Sequence, residues 1–243
     1  MPARYDTIGL TYSDLRKPDT RIAKAIYDAL GDAQTVLNVG AGTGSYEPAD
    51  RDVTAVEPSI EMIKQRPLDA APVIQGTAEA LPFDDNSFDA AMAVLTIHHW
   101  SDQAAGLRKM RRVTRGPVVI LTYDPAFRGF WLTDYFPKLI TLDEGQMPQM
   151  TAFADWLGEV EITPVPIPHD CTDGFLSAYW RRPAAYLDPR VRAVMSPFWA
   201  IGDLTPGLER LETDLNSGVW DQQCGDLLEQ QSCDCGYRLV VAG

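Results

Sequence analysis

Val36-Leu37-Asn38-Val39-Gly40-Ala41-Gly42-Thr43-Gly44 is the stretch that decides the fold. Its first half is a short, mostly apolar run that reads as a buried strand. Its second half places glycines at 40, 42 and 44. Glycine tolerates the left-handed backbone and lets a ligand approach closely. A helix N-terminus fed by such a bend offers N–H groups to a polar or anionic ligand. The spacing is G-x-G-x-G, and Ser45 stands where a dinucleotide-type G-x-G-x-x-G would carry its third glycine.

Outward from this bend the chain alternates. Pro18-Asp19-Thr20 opens a helix to about Leu30, with Ile22, Ala25, Ile26, Ala29 and Leu30 on one face and Gly31 as a stop. Strands are expected at 35–39, 53–56, 72–75, 88–95 and 117–122. Pro58 is expected as the first residue of a helix, and Ser101-Asp102 as the cap of another that runs to about Val113. This rhythm predicts βα units and a mostly parallel sheet up to about Asp124. Beyond it the sequence turns aromatic, then proline-rich around a possible strand at 164–168, then mainly helical to about Asn216. Tyr237–Val241 reads as a closing strand. Residues 1–243 are expected to form one domain, with 1–17 as an N-terminal lid segment and 125–217 as an insertion on the substrate side.

A second signal sharpens the first. Glu57 ends the second strand, 13 residues after Gly44. A carboxylate there can accept both hydroxyls of a ribose. A glycine bend plus an acid at the next strand tip is the architecture of an adenosine site.

With these pieces in place the chain resembles a known family. VLNVGAGTG, VTAVEPS, GTAEALPFDDNSFD and VLTIHHW occur in order and are similar to the class I S-adenosylmethionine (SAM)-dependent methyltransferases, in particular the small-molecule branch with a methyltransferase-11 type domain. The resemblance covers about residues 35–123. It implies an α/β, Rossmann-like sheet of seven strands, the last antiparallel, with helical lid insertions. It implies SAM as cofactor and S-adenosyl-L-homocysteine as product. By the same resemblance Gly40, Ala41 and Gly42 border the methionine part, Glu57 holds the ribose, and Pro58-Ser59 lie near the adenine. Thr77, Ala78 and Glu79 flank the adenine ring, and Leu95-Thr96-Ile97-His98 line the methyl side. Two positions depart from the family. Asn38 stands where an acid is usual, and Thr77 where Asp is common.

Other candidates come from residue chemistry. His98 and His99 end the fourth strand, and either could serve as general base, or pack and cap the next helix. Tyr5, Tyr12 and Arg16 precede the first helix and could fold over the cofactor. Arg16 would then pair with the SAM carboxylate, and Tyr12 would sit by the sulfonium. The alternative is an ordinary surface helix. Asp124 could orient a base or bind an amine, or simply make a turn. His169, with Asp170, Cys171 and Asp173, could face the substrate at the pocket rim. Trp180 could form a substrate wall or belong to the core.

Composition narrows the partners. The 243 residues carry 21 Lys+Arg and 34 Asp+Glu, a net charge of −13. That charge disfavours nucleic acid and anionic membranes, so the expected acceptor is a small molecule. The fourth strand also lacks the Asp/Asn-Pro-Pro-aromatic run of amino-directed nucleic-acid methyltransferases. No membrane-length apolar run occurs, and four cysteines without an export signal point to a cytoplasmic chain. No metal site is expected, and the chain could be a monomer or a homodimer. Two other functions stay open. One is a different use of SAM, by cyclisation or aminocarboxypropyl chemistry releasing methylthioadenosine. The other is SAM binding without catalysis.

Overall fold

Asp19 starts the first helix because its extended backbone and carboxylate cap the Arg21 N–H. A computed structural model describes residues 15–243. Helix α1 (Thr20–Ala29) leads into β1 (Thr35–Val39), β2 (Asp52–Glu57), α2 (Ile60–Lys64), β3 (Val73–Gln75) and β4 (Ala90–Val94). Then come α3 (Gln103–Val113), β5 (Val118–Tyr123) and three helices: α4 (Leu132–Tyr135), α5 (Lys138–Gln146) and α6 (Ala152–Leu157). After β6 (Val160–Pro164) and the short β7 (Ile167–Pro168), helical segments include α7 (Pro189–Ala193), α8 (Ser196–Ala200), α9 (Thr205–Ser217) and α10 (Val219–Cys224). The chain ends with β8 (Ser232–Cys233) and β9 (Tyr237–Ala242).

The main sheet has seven strands in the order β3-β2-β1-β4-β5-β9-β6. The last strand, β9, is inserted between β5 and β6 and runs antiparallel to both. Strand order reverses between β1 and β4, which leaves a crevice above the carboxyl ends of β1, β2 and β4. The central strands are buried on both faces, as a parallel sheet requires. Val36, Met92, Val119 and Leu239 face one core with Ile22 and Ile26 of α1 and Leu30 at its C-cap. Leu37, Ala91, Ile120 and Val240 face the other, with Leu107, Met110 and Val113 of α3 and Phe153 of α6. This alternation is the two-residue period of a strand.

Two expectations change. Pro58 is not the first helical residue, since Ser59 takes the cap and its hydroxyl accepts from the Met62 N–H. Residues 125–217 do not form a pure insertion, because β6 lies within them as the edge strand of the main sheet. Pro164 ends β6, at a sheet edge where a missing N–H is tolerated.

Asp143 in α5 is buried, and loss of solvent pushes its carboxyl up to about 7 against the opposing influence of Gln146 and Arg128. The fold therefore prefers its neutral form. That contribution is complete below the unfolded carboxyl value, about 4, and is lost as pH rises through about 7. Thermal unfolding should show the melting temperature of the native chain falling between about pH 4 and pH 7 more steeply than that of Asp143→Asn. Parallel profiles would contradict the assignment.

Candidate functional site

The carboxyl ends of β1, β2 and β4 open into a cavity of about 660 Å³. Its floor is the glycine bend. Gly40 and Gly42 adopt positive φ values of 71° and 55°, which side chains rarely tolerate. A Cβ on Gly40 would also collide with the Thr96 side chain, which lines the same cavity. The bend is thus a cradle that only a bare backbone fits.

Glu57 supplies the wall. Its side chain is buried, and its two oxygens accept the Gly42 N–H at 2.7 Å and the Ser59 N–H at 2.8 Å. These charge-assisted bonds fix the carboxylate between the bend and the start of α2. Each carboxylate oxygen can accept two hydrogen bonds, so the geometry suits a diol approaching from the cavity. Bend and carboxylate together fit the adenosyl cofactor that the sequence suggests.

The third wall comes from Thr77, Ala78 and Glu79, with Trp100 and Ser101 beside them. Glu79 accepts the Ser101 hydroxyl at 2.9 Å and the Asp102 N–H at 3.1 Å. Burial would raise its carboxyl, but the bonds from Asp102, Ser101 and Thr77 outweigh that and lower it. Glu79 therefore ties this wall to the start of α3. Gly106 completes the fit, because a Cβ there would come within 2.6 Å of the Trp100 ring and 2.9 Å of the Ala78 Cβ. At the end of β4, Leu95 turns into the left-handed region at φ 52°. Such strain in a bulky residue concentrates at ligand sites.

Asn38 lines the cavity where an acid was expected. Its amide donates to Glu47 at 3.0 Å. Glu47 is in turn gripped by Arg66 at 2.8 Å, with side chains only 8% and 4% exposed. Arg66 also donates to the carbonyls of Gly42 and Ala71. An ionised Glu47 accepts only, so the Asn38 NH2 must face it. The missing negative charge is therefore one residue deeper, buttressing the bend.

Of the residues singled out in the sequence, Arg16, Asn38, Gly40, Ala41, Gly42, Glu57, Pro58, Thr77, Ala78, Glu79, Leu95 and His99 all line this cavity. Tyr5 and Tyr12 lie outside the described residues. The two histidines separate. His99 faces the cavity, whereas His98 lines a neighbouring hollow of about 500 Å³ with Gln103, Gln146 and Trp156. Their rings stand 3.8 Å apart. Three further candidates lie away from this cavity, Asp124 and Trp180 in the alternative roles the sequence left open. Asp124 caps its own turn through the Ala126 N–H and sits by Arg238. His169 lies beside β8, its N–H bonded to the Gln231 carbonyl. Trp180 is a core residue, wholly buried, with its indole N–H on the Ile167 carbonyl. Ile97 also points into the core. Sequence reasoning missed Tyr46, Met62, Gln75 and Trp100 as lining residues. It also missed Glu47 and Arg66, whose pairing had no local signal.

Asn38→Asp, which restores the family's usual acid, should set two carboxylates against each other. We expect about 1–3 kcal/mol lower stability and weaker binding of S-adenosylhomocysteine, both recovered in Asn38→Asp/Glu47→Gln. Denaturant melts and calorimetry check this, and tighter binding by the single variant would refute it.

Known proteins share this architecture. Residues 37–120 match the family model described as a methyltransferase domain. A crystal structure from Anabaena variabilis, described as a methyltransferase from an antibiotic biosynthesis pathway, is 36% identical with a TM-score of 0.87. That likeness covers 94% of this chain and 99% of the other. The demethylmenaquinone methyltransferase of Renibacterium salmoninarum is 36% identical over 121 residues, 45% of this chain and 51% of that relative. A chloroplastic 2-methyl-6-phytyl-1,4-hydroquinone methyltransferase of Oryza sativa is 28% identical over 131 residues, 50% of this chain and 38% of that relative. The chain spans about half the length of these curated relatives or less. Full-length agreement with the Anabaena structure, together with the shared domain, decides the matter: the chain belongs to the class I SAM-dependent methyltransferases.

Proposed function

We propose that the chain transfers the methyl group of SAM to a small-molecule acceptor by in-line displacement. The observation that carries this reading is the cavity itself, in which a bare-backbone cradle, a buried carboxylate and His99 share one space. When bound, SAM supplies an electrophilic methyl carbon. Its transfer to an acceptor's lone pair, with the C–S electron pair kept by sulfur, would leave S-adenosylhomocysteine as product.

The protein's part is alignment and exclusion of water. Glu57 takes the two ribose hydroxyls. Thr77, Ala78 and Trp100 would border the adenine. Asn38 and Arg16 take the polar end of the methionine arm. Leu95 and Thr96 border the reacting carbon, and His99 receives the acceptor's proton where the nucleophile is a hydroxyl. The net charge of −13 supports a small acceptor over nucleic acid. The names of the menaquinone and hydroquinone methyltransferases support the same class.

Glu57→Ala should weaken S-adenosylhomocysteine binding by about tenfold or more, the loss of charge-assisted bonds to two hydroxyls. Unchanged affinity in calorimetry would remove the ribose assignment. Given an acceptor, His99→Ala should lower turnover with cofactor affinity kept, and His98→Ala should leave turnover within about twofold of the native rate. Release of methylthioadenosine from SAM alone would reject methyl transfer.

A further inference from the structure

Beside the glycine bend the cavity is bordered by Tyr46, within the segment that carries the family resemblance, and by Arg16, which lies outside it together with its partner Asp173. Arg16, in the stretch before α1, lines the cavity and donates through Nε to Asp173 Oδ1 at 2.6 Å. Tyr46, which follows the glycine bend and also lines the cavity, donates its hydroxyl to Asp173 Oδ2 at 2.9 Å. Asp173 belongs to the loop after β7 and is 1% exposed. Backbone bonds lock the same junction, with the Gly174 N–H on the Leu15 carbonyl at 2.9 Å. A Cβ on Gly174 would approach that carbonyl to 2.7 Å.

Nearby, Asp19 repeats the device without touching the cavity. Burial would raise its carboxyl, but bonds from Arg21 and the Thr172 N–H hold it down to about 2. Asp19 thus joins α1 to the 170–173 loop, together with the Arg21–Asp170 pair and the Thr172 hydroxyl on the Pro18 carbonyl. A second buried carboxylate at the same seam is costly and adds little as a mere tie. Asp19 reaches the lining residue Tyr46 only through its backbone N–H, whereas the Asp173 carboxylate binds two cavity-lining side chains, one of them a cation.

We propose that Asp173 is a positioning residue for cofactor binding, holding Arg16 so that its Nη edge meets the carboxylate of the methionine arm and holding Tyr46 against the bend. This rests on the cofactor reading above and adds the element that sets the charge at the far end of the arm. An Arg guanidinium engages a carboxylate best through two parallel N–H bonds, and a side chain with several rotatable bonds loses affinity unless it is fixed beforehand. The loop after β7 thereby makes recognition of the arm depend on the packing of the chain's second half.

Two ligands separate this role from general support of the fold. S-adenosylhomocysteine has the arm, and methylthioadenosine keeps adenosine and sulfur but lacks the carboxylate. In titrations of the full chain, Asp173→Asn should weaken S-adenosylhomocysteine by about tenfold or more and leave methylthioadenosine within about twofold. Arg16→Met should do the same, and the double variant should be no weaker than the Arg16 variant alone. Equal loss for both ligands in Asp173→Asn, or no loss for either, would overturn the proposal while leaving the cofactor reading intact. If Asp173→Asn does not fold, Tyr46→Phe replaces it, with a smaller loss confined to S-adenosylhomocysteine expected and an equal loss for both ligands overturning the proposal. Failure of the native chain to bind either ligand would overturn the cofactor reading, and this inference with it.

Discussion

A single buried carboxylate organises the site. Glu57 sits at the tip of β2 and accepts one amide from the glycine bend and one from the cap of α2. A buried carboxylate without such partners would be strongly disfavoured. The bend must therefore keep Gly42 turned toward it, and α2 must start where Ser59 can reach it. Sheet register makes this possible, because β1 and β2 pair in parallel from Thr35–Asp52 to Val39–Val56. Those two strand tips consequently end side by side. The Gly40 and Ala41 N–H groups both bond the Val56 carbonyl, which fixes the bend at the same level as the carboxylate.

Around that centre the chain places charge by depth. Glu57 faces the cavity, whereas Glu47 is withdrawn behind Asn38 and neutralised by Arg66. The amide of Asn38 stands between the two, with its NH2 turned toward Glu47. An acid at position 38 would place a carboxylate beside Glu47 with one guanidinium to serve both. The departure from the family pattern at 38 and the Glu47–Arg66 pair are thus one adaptation, spread over three chain segments that meet only in the fold.

What was legible in the sequence follows from range. The bend, Glu57 and the βα rhythm are local: strand period, glycine spacing and an acid at a strand tip each occupy a few residues. The cap at Ser101-Asp102 and the helix start at Pro18-Asp19-Thr20 were readable for the same reason. The pairing of Asp173 with Arg16 and Tyr46 spans 157 and 127 residues and leaves no local trace. In the sequence Asp173 looks like one of several polar residues near His169. The two histidines were indistinguishable for a different reason. They sit in a short 3-10 turn, Ile97–His99, where successive side chains point in different directions. Only the turn's placement decides which one reaches the cavity. Trp180 shows the converse case: an indole in an aromatic-rich stretch suits a pocket wall and a core equally, and packing put it in the core.

The central claim is that Glu57 and the bend at 40–44 grip an adenosine between them. A crystal structure of the chain with S-adenosylhomocysteine tests it most directly. The account predicts both ribose hydroxyls within hydrogen-bond distance of Glu57, the adenine against Thr77 and Ala78, and the amino acid end beside Asn38 and Arg16. An empty bend, or a ribose bound away from Glu57, would contradict it.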